Sequence, residues 1–135
     1  MTQVRIKLET KIVQEHGQEN FLFEEDASLT AENNVQVLNY FENEQIPVEL
    51  RFTDKRVELV RGVRPDNYSQ MVFEDGNREK ATYVVDQNLM DFEVQTNALN
   101  INLIDETTGE IFIDYDLYTG VSLVGNYIFK LQFGR

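Results

Sequence analysis

The chain has 135 residues, no cysteine and a formal net charge of −12, which suits one domain that buries roughly two-thirds of its unfolded surface without disulfides or thiolate metal sites. Twenty-four acidic residues against twelve basic ones deny it the net basic footprint that phosphate binding needs, so neither nucleic acid nor an anionic membrane is expected as a partner. The cysteine-free composition points to the cytoplasm, and from Val4 onward apolar residues alternate with charged ones, leaving no continuous apolar run for a signal peptide or a membrane span.

In chain order, Val4, Ile6 and Leu8 alternate with Arg5, Lys7 and Glu9, and Ile12 keeps their phase, which predicts a half-buried strand ending at His16-Gly17. Phe21 and Phe23 mark a second strand. The acidic run from Glu24 to Asn34 is predicted as a loop in which Ser28 or Thr30 caps a helical turn. Val35 to Glu42 reads as a strand with both faces covered, Val35, Val37 and Phe41 on one and Leu38, Tyr40 and Glu42 on the other. Pro47 opens a strand carrying Val48, Leu50 and Phe52. Asp54-Lys55 then forms a two-residue hairpin turn into Val57, Leu59 and Arg61.

Gly62 and Pro65-Asp66-Asn67 break the chain before Tyr68 to Phe73, where Met71 and Phe73 are in register. Asp75-Gly76-Asn77 is a hairpin signal, because glycine tolerates the positive φ of such a turn. Lys80 to Val85 answers it, and Asp86-Gln87-Asn88 turns again. Phe92, Val94 and Thr96 share a face while Leu99, Ile101 and Leu103 have the opposite parity; a one-residue slip of this kind predicts a β-bulge near Asn97-Ala98. After a loop from Asp105 to Gly109, two strands close the chain. Ile111, Ile113, Tyr115 and Leu117 lie on one face of the first, and Tyr127, Phe129, Leu131 and Phe133 on one face of the second.

Counting gives about ten short strands with no amphipathic helix, an all-β chain. A sandwich fits the number, but nearest-neighbour hairpins favour a single antiparallel up-and-down β-barrel spanning residues 1–135. The succession of Tyr40-x-Glu42, an apolar strand ending in Arg61-Gly62, Met71-x-Phe73-x-x-Gly76, Tyr83, Thr96 and the closing pair from Gly109 to Phe133 resembles the YwiB-like family, small bacterial proteins of unknown function. The resemblance covers nearly the whole chain. It implies a calycin-like barrel, related in shape to lipocalins, and no particular activity. The chain departs from the pattern at Val85, where a threonine is expected two residues after Tyr83, and at Asn88, where a turn glycine is expected. Asparagine tolerates the left-handed conformation, so that turn is expected to survive.

Catalytic chemistry finds little material. His16 is the only histidine and reads as an exposed turn residue, while Ser28, Ser69 and Ser122 read as turn or loop serines, so no Ser-His-Asp or Cys-His arrangement is available. One histidine makes a poor zinc site, and Asp114-x-Asp116 lacks the loop that would complete a calcium site. The glycines are isolated, so no loop cradles a phosphate. Carboxylates close together follow from acidic abundance alone and do not indicate a glycosidase. No metal, cofactor or enzymatic activity is expected.

Arg61 follows Val57 and Leu59 on the inward face, where an unpaired guanidinium would cost several kcal/mol. It therefore needs a partner, and Glu42, Tyr40, Tyr83, Thr96 and Tyr115 are the candidates, Tyr115 being in phase with Ile111 and Ile113. In one reading these residues form a polar anchor that fixes the carboxylate of an otherwise apolar ligand. In the other, Arg61 keeps its head at the barrel mouth or pairs with Glu42. Two functions stay open: a carrier or sensor of a small apolar or amphipathic ligand, or a non-enzymatic structural or protein-interaction module. In the second, the barrel is filled by its nine Phe and six Tyr and its acidic surface faces a basic protein partner. Monomer and dimer both fit, since an unpaired edge strand can dimerise.

Overall fold

Period-two alternation builds the whole architecture. In the computed structural model, which describes residues 1–63 and 66–135, ten strands follow one another: β1 (Thr2–Gln14), β2 (Gly17–Glu32), β3 (Val35–Glu42), β4 (Ile46–Phe52), β5 (Arg56–Val63), β6 (Asn67–Glu74), β7 (Arg78–Val85), β8 (Asn88–Leu103), β9 (Gly109–Thr119) and β10 (Ser122–Gly134). Each pairs antiparallel with the next, and β10 returns to pair with β1, so the sheet closes into an up-and-down barrel. No helix among the described residues is long and apolar enough to cross a membrane.

The strands are not uniformly short. β2 and β8 each run for 16 residues, and β2 passes straight through the segment predicted as a loop with a capped helical turn. The acidic residues misled because they form the outer face of a strand opposite a basic one. Asp26 and Glu24 lie across from Arg5 and Lys7 of β1, and Arg5 Nη1 meets Asp26 Oδ1 at 3.0 Å. The inward residues Ala27 and Leu29 are each 5% exposed. Ser28 and Thr30 alternate with them on the opposite face of the strand and cap nothing.

Three reversals carry two consecutive residues at positive φ, Asn33-Asn34 and Asp86-Gln87 as two-residue turns and Asn43-Glu44 within a three-residue one, a conformation that matches the right-handed twist of the flanking strands. The left-handed residues of the β7–β8 turn are thus Asp86 and Gln87. Asn88, expected to hold that conformation, instead opens β8 and donates its side-chain amide to the Asp86 carbonyl at 3.2 Å. Gly76 takes φ +80° in the predicted β6–β7 hairpin. β5 continues through Gly62, at φ +90°, to Val63; the break predicted at Pro65 lies outside the described residues. The register between β8 and β9 slips between Thr96 and Ala98, the predicted bulge. A second slip, between Leu123 and Gly125, has no parity change in the sequence strong enough to announce it.

Alternation sends Ile6, Leu38, Leu50, Phe52, Val57, Phe73, Val94, Ile111, Ile113 and Leu131 inward, each no more than 1% exposed. Burying side chains of this kind stabilises by about 1.5–3 kcal/mol apiece. They fill the half of the barrel nearest the β2–β3, β4–β5 and β8–β9 turns. On β3 only one of the two covered faces holds throughout: Leu38 and Tyr40 point inward and Val37 is buried outside, but Phe41 is 55% exposed.

The other half is looser. β2 pairs with β3 only over Ser28–Glu32 against Val35–Asn39, so from Gly17 to Ala27 β2 is paired on its β1 side alone among the described residues. The wall is parted there, and the gap leads inward.

Candidate functional site

Arg61 is carried inward by the register of β5, opposite Val48 of β4 and Ser69 of β6, in phase with the buried Val57 and Leu59. Glu42 ends β3 two residues beyond Tyr40, which pairs with Val48. The two charged side chains meet at the mouth. Arg61 Nε and Nη2 donate to the same Glu42 oxygen, Oε2, at 2.9 and 2.8 Å. Their side chains are 41% and 23% exposed, and solvent screening at that exposure leaves the pair worth roughly 1 kcal/mol or less. The hydrogen bonds that Arg61 donates to Glu42 raise its pKa, against the opposing effect of desolvation, so the guanidinium is charged at any ordinary pH.

Behind this pair lies a cavity of about 570 Å³, inside the range of roughly 300–1,000 Å³ typical of small-molecule sites. Its walls come from the strand segments that lead into the β1–β2, β3–β4, β5–β6 and β7–β8 turns. Leu8, Thr10 and Ile12 of β1, Phe21 and Phe23 of β2, Leu59 of β5, Ser69 and Met71 of β6, and Phe129 of β10 supply most of the surface. Tyr40, Tyr83, Tyr115 and Tyr127 supply phenols. Tyr115 and Tyr127 face each other across β9 and β10 and stack with ring centroids 5.0 Å apart and planes 6° from parallel. Phe23 and Tyr40 approach to 5.9 Å across the parted wall.

The phenols are neutral. Burial pushes the Tyr115 hydroxyl well above its ordinary range and raises Tyr127 in the same direction. Tyr40 is raised by burial first, then by the charge of Glu42, with Arg61 opposing. Tyr83 is pushed up to about 12, again chiefly by burial. Tyr83 donates to Met71 Sδ at 3.3 Å. Tyr40 and Tyr115 are 4% and 7% exposed, line the cavity, and form no hydrogen bond through their hydroxyls among the described residues.

Of the residues predicted from sequence, Arg61, Glu42, Tyr40, Tyr83 and Tyr115 come together around this cavity. Thr96 does not. It pairs with Tyr115 in register but sits in the filled half, 1% exposed, and its hydroxyl has no hydrogen-bond partner. Arg61 pairs with Glu42 rather than standing free as a carboxylate anchor. Ser69, read as a loop serine, is a strand residue 7% exposed that faces the cavity, and its alternation with Met71 and Phe73 carried that signal. Tyr127, missed as a site residue, was equally legible in phase with Phe129 and Leu131. Ser28 and Ser122 are strand residues also.

Elsewhere, a cavity of about 500 Å³ around Phe52, Lys55 and Leu103 at the other end of the barrel holds none of the predicted site residues. Asp114 and Asp116 lie on the outer face of β9, where the Asn126 amide donates to both at 2.8 and 2.9 Å. Among the described residues no group of three or more His, Cys, Asp or Glu is placed to hold a metal ion. His16 is exposed in the β1–β2 turn. A groove of about 330 Å³ crosses the outside of β1, β2 and β10 around Phe21, Leu22 and Ile128, and holds none of the predicted site residues.

A solved structure, the crystal structure of the ywiB protein from Bacillus subtilis, is similar in fold, with a TM-score of 0.81 over 99% of this chain and 93% of that one. At 20% sequence identity that likeness speaks for the barrel alone. A search of curated proteins finds no match. The family model described as "Domain of unknown function (DUF1934)" matches residues 6–131, nearly the whole chain. This chain therefore belongs to the DUF1934 family, and its barrel is YwiB-like.

Proposed function

We propose that this protein is a non-enzymatic binder of a small apolar or amphipathic ligand, held in the open half of the barrel much as lipocalin-like barrels use theirs. The observation that carries the reading is the cavity of about 570 Å³ walled by aromatic and aliphatic side chains, into which Tyr40 and Tyr115 bring hydroxyls that the protein leaves without partners. Both side chains are buried while their hydroxyl oxygens stay open to the cavity, where a ligand or ordered water would supply the partners. Among the described residues lining the cavity, Ser69 is the aliphatic hydroxyl at a buried position, with no histidine near it, which is why the reading is binding and not turnover. A cytoplasmic location, resting on the cysteine-free composition, belongs to the same proposal.

A second reading is a protein-interaction module. It is favoured by the β2 edge from Gly17 to Ala27, paired on one side only, beside Phe21 and Leu22, which are 52% and 63% exposed. Glu19, Glu24, Glu25 and Asp26 on that strand suit a basic partner strand better than a second copy of the same acidic edge.

Native mass spectrometry of the protein purified from its own cells, before and after delipidation, tests between them. The expected result is a discrete mass excess on the monomer that delipidation removes. A bare mass in both samples would overturn the ligand reading and turn the search to basic protein partners.

A further inference from the structure

Resting on the ligand reading above, we infer that the cavity selects uncharged ligands, and that Glu42 is the residue that excludes organic anions. Among the described residues lining the cavity only Arg61 and Glu42 are ionised, and they are bonded to each other through two N–H groups on one oxygen. The wall is thus electrically balanced before any ligand arrives. A carboxylate or sulfonate entering this space would either take Arg61 from Glu42, leaving Glu42 an unpaired, mostly buried anion, or share the guanidinium through the N–H groups that Glu42 does not use and so lie beside Glu42. Either way, like charges meet in a site walled mainly by apolar side chains, where repulsion is poorly screened. The net charge of −12 adds to the barrier.

An uncharged ligand meets the opposite situation. Tyr40 and Tyr115 offer neutral hydroxyls without protein partners, each able to donate or accept, and the Glu42 oxygen Oε1, outside the ion pair, accepts from a ligand N–H or O–H. The stacked Tyr115–Tyr127 pair, Phe23 and Phe129 provide flat apolar surface. The class this fits is a small aromatic molecule with hydrogen-bonding groups and no formal charge.

The test uses two fluorescent probes that differ by a single charged group, phenylnaphthylamine and its sulfonated derivative anilinonaphthalene sulfonate. Wild-type protein is expected to bind the neutral probe and to bind the sulfonate at least tenfold more weakly. Glu42→Gln keeps an amide oxygen for Arg61 to donate to, removes the competing charge, and should close that gap about tenfold. Glu106→Gln, in the β8–β9 loop at the other end of the barrel, removes the same net charge and should leave the gap as in wild type. Should Glu42→Gln fail to fold by circular dichroism, Arg61→Gln decides instead: it bares Glu42 and should weaken the sulfonate further while sparing the neutral probe. Equal affinities in wild type would overturn charge selection while leaving the binding reading intact, and so would a ratio that neither Glu42→Gln nor Arg61→Gln moves. Binding of neither probe, together with a bare native mass, would overturn both.

Discussion

Thr96→Val isolates a single atom. Thr96 is 1% exposed, its backbone N–H donates to the Asn77 carbonyl at 2.9 Å, and its own carbonyl accepts from Gly76 at 3.0 Å. The backbone is satisfied and only the hydroxyl is orphaned. Leaving such a group buried and unbonded costs about 1–3 kcal/mol, and the valine methyl that replaces it occupies the same space on an equally β-branched side chain. Allowing for imperfect repacking, the substitution is expected to stabilise the barrel by about 1–2 kcal/mol, which for a domain of this size raises Tm by several degrees. Equilibrium unfolding in urea, followed by far-UV circular dichroism, measures it: the midpoint should move up with the slope unchanged. A midpoint that stays put or falls would mean that the hydroxyl has a partner and that the orphan assignment is wrong. Because Thr96 lies outside the cavity, the affinity for phenylnaphthylamine should not move.

Gly62→Ala should act in the opposite direction. Gly62 takes φ +90°, and an added Cβ would run into the Asn67 carbonyl oxygen, so a loss of about 2 kcal/mol or more is expected, read from the same urea titration; a loss below about 0.5 kcal/mol would show that the β5–β6 connection can relax around a side chain. The buried phenols set an alkaline limit. Their pKa values are raised in the fold, so the unfolded chain gives up those protons first, near the ordinary tyrosine pKa of about 10. The stability they contribute is intact below about pH 10 and is lost as the pH rises toward the value of about 12 reached by Tyr83. Stability measured by urea at a series of pH values should fall across that window, with part of the phenolate absorbance appearing only as the protein unfolds. A flat stability profile through the window would contradict the burial assigned to these rings.

How far the sequence could be read follows from which forces are local. The inward sets of β1, β4, β5, β9 and β10 were legible because alternation is written residue by residue, and the slip after Thr96 was legible because a bulge reverses parity. β2 was misread because its polarity is set by a neighbour: Glu24 and Asp26 look like loop residues until Lys7 and Arg5 are placed opposite them. The positions of the left-handed turn residues depended on strand register, which the dipeptides around Asn88 do not encode. In the site, Tyr40, Glu42, Arg61 and Tyr115 were recoverable from phase, and Tyr83 from the family pattern. Thr96 shares that phase, and only its depth along the barrel separates it from them. Depth is fixed by the stagger between strands, a property of the closed sheet and not of any one strand.

Nine of the ten seams in this barrel join strands that are neighbours in the chain, and the tenth joins β1 to β10. Hairpins can zip from their turns within microseconds, whereas the last seam must bring Arg5 opposite Gly134 by closing a loop of roughly 130 residues, a slower and less local event. Thr10 and Ile12 form one bank of that seam, and Phe129 and Tyr127 lie directly across from them on the other. All four line the cavity. A chain that has zipped every hairpin but not this seam has the phenols without the chamber, so under the proposed ligand reading the capacity to hold a ligand depends on closure of that one non-local seam.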